Sequence, residues 1–362
     1  MLRRESGFIV FKIALAWPAS EGELARLRTY VTGECEILSP KSYEIKDLVE
    51  VALDADAIVG GYVPEEMIVN AEKVKLVQVL HSGVTHRSLD GLDQGFSFNT
   101  LRSRNIMLGN IAGANAVAVA EHAFALMLAL AKRIVPDHQA LAQGSWYPFS
   151  RDTMGCELAG KTLGILGVGA IGVELAKRAR AFCMGVIGTK RTPAPQLIDE
   201  LGLDFLGSPE DLPRVLRESD FVAVCVPWMP STDKMLGEKE LRSMKKTAYL
   251  INIARAEIID EEALHRALTE DWIAGYGTDV WWNYDLMPTP SDAVGFIKWG
   301  ICAPIVSRTG IHKLDNVVMT GDRAAFNAET LENFLRVGMR NVDMLAKGQT
   351  PEHIVDLSMQ AR

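Results

Sequence analysis

The sequence predicts an α/β protein made of two doubly wound parallel-sheet domains, each with helices covering its sheet. Short apolar runs alternate with amphipathic, charged segments over the first hundred residues, and a cleaner alternation of the same kind starts at Lys161. Parallel strands joined by helices produce such a pattern. The length of 362 residues also exceeds one ordinary hydrophobic core and favours two domains.

The first alternation supplies four predicted strands and a long apolar helix. The strands are KIALA, AIVGG, LVQVLHSG and IMLGN, with amphipathic segments such as EGELARLRTYV between them. The following stretch, NAVAVAEHAFALMLALAKRIV, is apolar almost all round, so a helix there must be buried on most sides. It is either a central core helix or a helix at a domain or dimer interface. We favour the interface, because one domain rarely buries so long a helix completely.

The second alternation predicts the other domain, of a size normal for a single doubly wound unit. Its predicted strands are TLGILG, GVIGTKR, DFVAVCVP, TAYLINIA and IAGYGTDVW. Its predicted helices are AIGVELAKRARAF and DEEALHRALTE. A last helix, predicted from Arg323 to about Lys347, is expected to pack back on the first domain.

Composition argues against several classes of partner. The net charge is -8 and no basic stripe offsets it, which argues against nucleic acid or an anionic membrane. The five cysteines are scattered without metal-ligand spacing, so we expect no metal site and reduced thiols in a cytoplasmic protein. Two arginines before an apolar run faintly resemble a signal peptide, but Glu5 and Lys12 interrupt that pattern. An opening strand is the favoured interpretation.

The stretch LGILGVGAIGVELAKRA predicts a dinucleotide site. Gly167, Gly169 and Gly172 have G-x-G-x-x-G spacing between an apolar strand and an amphipathic helix. In that context the glycines allow a tight turn, a close approach of the pyrophosphate and close helix–strand packing. Ala170 and Ile171 open the helix, whose free N–H groups and positive dipole end attract phosphates. The alternative is a tight turn that binds no ligand.

The end of the next predicted strand bears on which dinucleotide is bound. An acidic residue about 20 residues after the glycines would bind the ribose 2′-hydroxyl of NAD. The sequence instead has Thr189, Lys190 and Arg191, a hydroxyl and two cations that suit a 2′-phosphate. We therefore expect NADP(H) to be preferred, with NAD(H) possible. The alternative is that both cations are solvated loop charges.

The stretch LINIARAEIIDEEALHRAL places Arg255 just after a buried strand. Open α/β sheets bind ligands at the carboxyl ends of their strands. A guanidinium there can hold a carboxylate through two hydrogen bonds and polarise an adjacent carbonyl. The alternative is a surface arginine that pairs with a helix acid such as Glu257.

Seven segments together resemble the D-isomer-specific 2-hydroxyacid dehydrogenase family, which includes formate, D-lactate, glycerate and phosphoglycerate dehydrogenases. They are HSGV, NAVAVAEHAF, LGILGVGAIG, VPWMPSTDKMLG, INIARAEIIDEEAL, GTDVW and LDNVVMT, in family order from Leu76 to Thr320. The resemblance implies a cofactor domain over residues 115–320, inserted in a discontinuous substrate domain formed by residues 1–114 and 321–362. It also implies homodimers and hydride transfer between a nicotinamide and a small 2-keto or 2-hydroxy acid.

The resemblance also implies roles for individual residues. Arg255 matches the substrate-binding arginine of the family, and Asp279 matches the acid near the nicotinamide carboxamide. The backbone N–H groups of Ser82, Gly83 and Val84 match the loop that grips the substrate carboxylate. The remaining cofactor contacts come from the loop over the cofactor and from the turn before Arg255: Val226, Pro227, Thr232, Ile253 and Ala254.

The catalytic pair of the family, a histidine and a carboxylate partner, is replaced in this chain. The histidine normally follows Thr-Pro, where this sequence has Thr320, Gly321 and Asp322. The partner position is Tyr284. Asp322 would carry the proton only if its pKa were raised, with Tyr284 facing it. Asp322 also suits the N-cap of the predicted last helix, and the helix dipole would there lower its pKa.

Two further interpretations of this replacement remain open. Another histidine could carry the proton: His81 and His312 are candidates, whereas His86 and His122 are expected to be structural because the family often has histidines there. Alternatively, the protein could bind dinucleotide with little turnover and act as a sensor or partner-binding subunit. The Pro- and Gly-rich loop over residues 283–310 could be a lid or a dimer contact. Our expectation is an NADP(H)-preferring 2-hydroxyacid dehydrogenase.

Overall fold

The computed structural model describes residues 10–82, 95–146, 150–282, 286–289, 298–301 and 307–357. The predicted site residues Gly83, Val84 and Tyr284 lie outside the described residues, as does His86. All other predicted site residues are described.

The chain forms two compact units. The first contains Met1–Ala114, Leu286–Ile301 and Ala328–Arg362, and the second contains Asn115–Asp285 and Cys302–Asn327. The predicted division placed 321–327 with the substrate domain, but this segment belongs to the second unit. It placed 286–301 with the cofactor domain, but this segment belongs to the first unit. The first difference has a clear cause, because hydrogen bonds to Asp279 hold the segment after Thr320 in the second unit.

The first unit has a five-stranded parallel sheet in the order β2-β1-β3-β4-β5. Its strands are β1 (Phe11–Leu15), β2 (Cys35–Leu38), β3 (Ala57–Gly60), β4 (Leu76–Val79) and β5 (Met107–Gly109). Its first helices are α1 (Glu21–Arg28), α2 (Ile45–Ala52), α3 (Glu65–Asn70) and α4 (Phe98–Ser103). Strands β3 and β4 are buried throughout, as expected for parallel strands covered on both faces.

The last helix, α12 (Ala328–Ala346), packs against α1, β3 and β4 of the first unit. Two polar contacts fix it there. The Asp343 carboxylate accepts the backbone N–H groups of Thr32 at 2.8 Å and Gly33 at 3.0 Å, and the Asn341 amide donates to Gln78 Oε1 at 2.9 Å. Lys347 pairs with Asp343 at 2.7 Å. Burial raises the pKa of Asp343, but the hydrogen bonds from Lys347, Thr32 and Gly33 outweigh this effect and lower the pKa. The return of the last helix to the first unit was expected from the sequence.

The second unit has a seven-stranded sheet in the order β14-β11-β10-β9-β6-β7-β8, with parallel pairs throughout. Its strands are β6 (Thr162–Leu166), β7 (Gly185–Thr189), β8 (Phe205–Gly207), β9 (Phe221–Val224), β10 (Tyr249–Asn252), β11 (Gly275–Thr278) and β14 (Val317–Met319). Its helices are α5 (Ala116–Ala131), α6 (Ile134–Ala142), α7 (Ala170–Ala181), α8 (Gln196–Leu201), α9 (Leu212–Glu218), α10 (Glu238–Ser243) and α11 (Glu261–Thr269).

The strand order of this sheet indicates where a ligand binds. From β6 the chain proceeds outward through β7 and β8, and then returns to β9 on the other side of β6. In doubly wound sheets a ligand binds beyond the carboxyl ends of the strands at such a switch point. The predicted class, two α/β domains with parallel sheets, is confirmed.

The apolar helix α5 packs against α7, α6 and strands β10, β11 and β14 of its own unit. Its buried residues include Val119, Ala123, Met127 and Leu130, whereas Val117 is exposed. The sheet and α7 therefore account for one face of this helix. In the part of the chain that is described, no helix is both long enough and apolar enough to cross a membrane.

Three local expectations were incomplete or wrong. The short strands β2 and β8 were not predicted, and the segment predicted as a long loop contains the antiparallel hairpin β12 (Leu286–Thr289) and β13 (Lys298–Ile301). The predicted helix start at Arg323 is also wrong, because α12 begins at Ala328. Trp281, which follows β11, is buried.

Candidate active site

The glycine-rich turn between β6 and α7 has the shape that the motif predicts. Gly167 has a φ of 98°, in the left-handed region that favours glycine. A Cβ atom there would lie 2.9 Å from Val226 Cγ1. At Gly172 a Cβ atom would lie 2.6 Å from the Gly167 carbonyl oxygen, so the helix can approach the strand only because this residue has no side chain.

The start of α7 leaves room for an anion. Gly169 is the N-cap residue, and no protein atom lies within 4 Å of the position that its Cβ would occupy. Gly169 and Ala170 are exposed and Ile171 is half-buried. The first N–H groups of an α-helix have no acceptor within the helix, and the dipole there favours negative charge. A turn closed on the protein side and open at Gly169 fits a dinucleotide pyrophosphate.

The three residues at the end of β7 differ in their surroundings. Thr189 is buried, and its carbonyl oxygen accepts the N–H groups of Gly167 at 3.1 Å and Val168 at 2.9 Å. Lys190 extends its ammonium group back to the Val168 carbonyl oxygen at 2.9 Å. Arg191 is exposed. The structure thus attaches Thr189 and Lys190 to the glycine-rich turn and leaves Arg191 facing solvent.

The predicted loop over the cofactor is held by its own hydrogen bonds. The Thr232 hydroxyl donates to the Pro227 carbonyl oxygen at 2.7 Å and accepts the Met229 N–H at 2.8 Å. Val226 lies next to Gly167, because its Cγ1 atom would be 2.9 Å from a Cβ atom on that residue. Thr232 therefore shapes this loop, and Val226 brings the loop to the glycine-rich turn.

Arg255 follows β10 on a turn that Asn252 fixes. The fully buried Asn252 amide donates to the Arg255 carbonyl oxygen at 2.9 Å and accepts the Ala254 N–H at 3.1 Å. Ile253 is buried in this turn, while Ala254 and Arg255 are half-buried. The Arg255 guanidinium donates to the Ala254 carbonyl oxygen at 2.7 Å. The turn presents the guanidinium beyond the carboxyl end of β10.

Asp279, just after β11, organises the segment that follows β14. Its carboxylate accepts the Thr320 hydroxyl at 2.5 Å, the Arg323 N–H at 2.9 Å and the Ala324 N–H at 2.8 Å. Its side chain is almost completely buried. A buried carboxylate requires such donors. The structure thus gives Asp279 a part in shaping the turn, and its predicted position near the nicotinamide carboxamide stays a prediction.

Asp322 lies in this turn and is not a helix cap. Its φ is 53°, and its N–H donates to the Asp279 carbonyl oxygen at 2.8 Å. The predicted N-cap role is wrong, because the helix begins six residues later and the hydrogen bonds to Asp279 hold the chain in a turn at this point. Aspartate, asparagine and histidine adopt the left-handed region more readily than most residues.

The environment of Asp322 raises its pKa above the ordinary value for aspartate. Desolvation by the surrounding protein raises the pKa, the Arg255 guanidinium lowers it, and the Asp279 carboxylate raises it. Asp322 is nevertheless an exposed residue. Water therefore screens the two charges and moderates the desolvation, and the pKa is still raised.

His122 and Thr320 belong to this cluster, although His122 was expected to be only structural. His122 Nε2 lies 2.7 Å from the Thr320 hydroxyl and 3.6 Å from Asp279 Oδ1. Trp281 Nε1 donates to the Thr320 carbonyl oxygen at 3.0 Å. Because the Thr320 hydroxyl donates to Asp279, it accepts a hydrogen from His122 Nε2. The polar pair Glu121 and His122 in the largely apolar helix α5 was the sequence signal for this contact.

The other candidate proton carriers are placed differently. His81 donates from Nε2 to the Gly61 carbonyl oxygen in the first unit, where Ser82 follows it. His312 lies in the second unit, edge-on to Trp281 with 6.5 Å between ring centroids. His122, by contrast, hydrogen-bonds to Thr320 in this turn.

Three charged residues therefore meet at one edge of the seven-stranded sheet. Arg255, Asp279 and Asp322 follow the carboxyl ends of β10, β11 and β14, which are neighbours in the sheet. The described residues contain no group of three His, Cys, Asp or Glu side chains that could hold a metal ion. A Rossmann-type sheet with a glycine-rich turn, an arginine and two acids at this edge defines a nicotinamide-dinucleotide oxidoreductase.

The chain belongs to the D-isomer-specific 2-hydroxyacid dehydrogenase family. Residues 124–321 match the family model described as "D-isomer specific 2-hydroxyacid dehydrogenase, NAD binding domain". The glyoxylate reductase of Thermococcus litoralis is 33% identical over 327 residues, which cover 88% of each chain. The glyoxylate reductase of Korarchaeum cryptofilum is 31% identical over 318 residues, 86% of each chain. The predicted family and the prediction of a 2-hydroxyacid dehydrogenase enzyme are confirmed.

Solved structures show the same fold. The NAD complex of a D-isomer-specific 2-hydroxyacid dehydrogenase from Lactobacillus delbrueckii ssp. bulgaricus superposes with a TM-score of 0.76 at 26% identity, over 95% of this chain and 100% of that one. The NADPH-dependent glyoxylate/hydroxypyruvate reductase of Sinorhizobium meliloti, in complex with NADP and malonate, superposes with a TM-score of 0.69 at 22% identity, over 96% of this chain and 97% of that one. The description of the family model that matches residues 124–321 as an NAD-binding domain supports a nicotinamide cofactor.

Proposed function

We propose that the protein is an NADP(H)-preferring reductase of a small 2-keto acid, with the 2-hydroxy acid as product. The observation that carries this proposal is the meeting of Arg255 and Asp322 beyond the strand ends of a sheet whose glycine-rich turn fits a dinucleotide. The similarity to glyoxylate reductases supports a short substrate. From the family resemblance we also propose that the protein is cytoplasmic and forms a homodimer. Light scattering of the purified protein would test the homodimer.

Each residue has a defined part in the proposed reaction. The Arg255 guanidinium binds the substrate carboxylate and polarises the adjacent carbonyl. The backbone N–H groups near Ser82, Gly83 and Val84 are proposed to bind the same carboxylate. A nicotinamide cofactor, held by the glycine-rich turn of Gly167, Gly169 and Gly172, would supply the hydride that C2 of the keto acid accepts. Protonated Asp322 donates a proton to the carbonyl oxygen, and the site is reprotonated from water.

The experiment that tests this function is an assay of the purified protein with NADPH or NADH and a panel of 2-keto acids beginning with glyoxylate. Turnover above the background without enzyme, with the 2-hydroxy acid as product, is the expected result. Cofactor binding without turnover would instead favour the second candidate, a dinucleotide-binding sensor. That candidate is kept because an aspartate stands at the family's proton-transfer position.

Cofactor preference is expected to depend on Arg191. Replacing Arg191 with alanine removes an exposed cation at the end of β7 that is proposed to bind the 2′-phosphate. The ratio of kcat/KM for NADPH to that for NADH should fall about 10- to 100-fold, as expected for a lost charge-assisted hydrogen bond. Lys239→Ala, at an exposed cation of α10, is the control. Equal kcat/KM for both cofactors in the wild type would contradict the preference.

Reduction of the 2-keto acid is expected to slow as pH rises. Protonated Asp322 is the proposed donor, so activity is present below its pKa and is lost as pH rises through it. Because the pKa of Asp322 is raised, this loss occurs at a higher pH than for an ordinary aspartate. Arg255, Asp279 and His122 are the charged or titratable groups nearby. A kcat–pH profile of the wild type and of Asp322→Asn would test it; the same falling limb in the variant would assign the limb to another group.

A further inference from the structure

The charges at the strand ends favour a zwitterionic ligand. Arg255 follows β10 and Asp322 follows β14, the two strands that flank β11 in the same parallel sheet, and the Arg255 guanidinium lowers the pKa of the Asp322 carboxyl. The nearby Asp279 carboxylate is already occupied by the Thr320 hydroxyl and the N–H groups of Arg323 and Ala324. Asp322 bonds to Asp279 through its backbone N–H, so that bond does not use the Asp322 carboxyl. A cation and an anion thus follow the carboxyl ends of β10 and β14 in one sheet.

A simple chemical difference separates two classes of substrate at such a site. A ketone that accepts hydride becomes an alkoxide, and it therefore needs a proton donor at its oxygen. A protonated imine already carries its proton, and it becomes a neutral amine when hydride arrives. Such a substrate needs an anion close to its cationic nitrogen, and a carboxylate supplies that charge. An ionised aspartate meets the second requirement, and a protonated one meets the first.

We propose that the site reduces 2-imino acids in their zwitterionic form, formed from a 2-keto acid and ammonia or a primary amine. This proposal rests on the proposed reductase function and extends it to another substrate class. The carboxylate at C1 binds Arg255, and the iminium nitrogen on C2 pairs with ionised Asp322. The two charged groups of the substrate, the carboxylate and the iminium, are built on the adjacent carbon atoms C1 and C2. Arg255 and Asp322 provide the opposite charges, and the Arg255 charge acts on the Asp322 carboxyl.

The reaction balances without a further reagent. The keto acid and the amine condense with loss of water to the iminium, and NADPH, as in the proposed function, gives a hydride to C2. The C=N π bond breaks, its electron pair stays on nitrogen, and the product is the amino acid and the oxidised cofactor. The product amine takes up a proton from water. Approach of a cation favours the charged form of Asp322 and thereby opposes the desolvation that raises its pKa.

The first experiment compares one 2-keto acid with and without amine. Purified wild-type protein, NADPH and glyoxylate are incubated alone, with ammonium chloride, or with methylamine, and the products are identified by mass spectrometry. Reactions without enzyme give the background. We expect glycine and N-methylglycine in the presence of the amines, at a higher rate than glycolate from glyoxylate alone.

Two substitutions at position 322 complete the test, and both residues suit a left-handed backbone. Asp322→Asn removes the charge with little change of shape, and imine reduction should fall about 10- to 100-fold, the loss expected for a charged hydrogen bond. Asp322→His supplies a proton donor near neutrality, so imine reduction should fall while 2-keto acid reduction is kept or gained. Thermal melting and NADPH binding show whether each variant is folded and binds cofactor.

The outcomes separate this proposal from the proposed function. Glycolate as the sole product, whatever amine is present, overturns the imine proposal and leaves the reductase function standing. NADPH binding with no product from either substrate overturns both. Imine reduction that is unchanged in Asp322→Asn, or a ratio of imine to keto-acid reduction unchanged in Asp322→His, also overturns the imine proposal. A ratio that shifts toward the keto acid in Asp322→His supports it.

Discussion

Replacing Arg255 with glutamine is expected to lower kcat/KM for the 2-keto acid about 100- to 1,000-fold, since two charge-assisted hydrogen bonds to the carboxylate are lost. The loss should appear in KM as well as in kcat, because the carboxylate is bound in the ground state and in the transition state. NADPH affinity should change little, because Ile253 and Ala254, the predicted cofactor contacts beside Arg255, lie on a turn that Asn252 fixes through backbone groups, which the substitution leaves in place. Steady-state kinetics and NADPH fluorescence titration measure the two effects.

The matched control for Arg255→Gln is Arg217→Gln, at an exposed position of α9. It removes the same charge from the same unit without touching the edge where β10, β11 and β14 end. The control should keep wild-type kinetics. Wild-type KM and kcat in Arg255→Gln would remove Arg255 from the substrate site and favour the interpretation of a surface arginine.

Replacing Asp279 with asparagine is expected to lower the free energy of unfolding by about 2–4 kcal/mol, because buried hydrogen bonds to a charged acceptor are lost and a buried donor is left without an acceptor. The carboxylate accepts three groups, whereas an asparagine side chain has one oxygen and presents an NH₂ group to the other donors. Activity should fall too, because the same hydrogen bonds hold the turn that carries Asp322. Urea unfolding and steady-state kinetics measure the two effects.

Two substitutions at Thr320 serve as controls for this prediction. Thr320→Ser keeps the hydroxyl between His122 and Asp279 and should stay close to the wild type. Thr320→Val keeps the shape and removes the hydroxyl, so it should lose about 1–2 kcal/mol of stability. An Asp279→Asn protein as stable as the wild type would show that these hydrogen bonds contribute little to the fold.

Much of the second unit could be predicted from local sequence patterns. Strands β6, β9, β10 and β11 lie within short, mostly apolar runs. The glycine spacing predicts that α7 packs closely against β6, and the structure shows this packing. Strands β2 and β8, of four and three residues, were not predicted from local pattern. Their places at sheet edges follow from pairing with β1 and β7, which is a tertiary contact.

The cluster around Asp279 could not be predicted, because its members are far apart in the sequence. Thr320 lies 41 positions from Asp279, and His122 lies 198 positions from Thr320. Local patterns describe neighbours within a few residues, whereas this cluster depends on β11 and β14 being adjacent and on α5 crossing them. The family resemblance marked Asp279 and Asp322 as important positions without indicating that one positions the other.

The sequence by itself determined the α/β class, the glycine-rich turn and the family, and it predicted Asp322 as the residue at the proton-transfer position. Each depends on residue type and short spacing, which the chain carries locally. The tertiary structure alone decided the conformation of that residue. Local propensity favoured Asp322 as a helix cap, but hydrogen bonds from Asp322, Arg323 and Ala324 to Asp279 hold the segment as a turn and delay the helix to Ala328. Backbone groups satisfied by a distant carboxylate outweigh the weak local preference for a helix start.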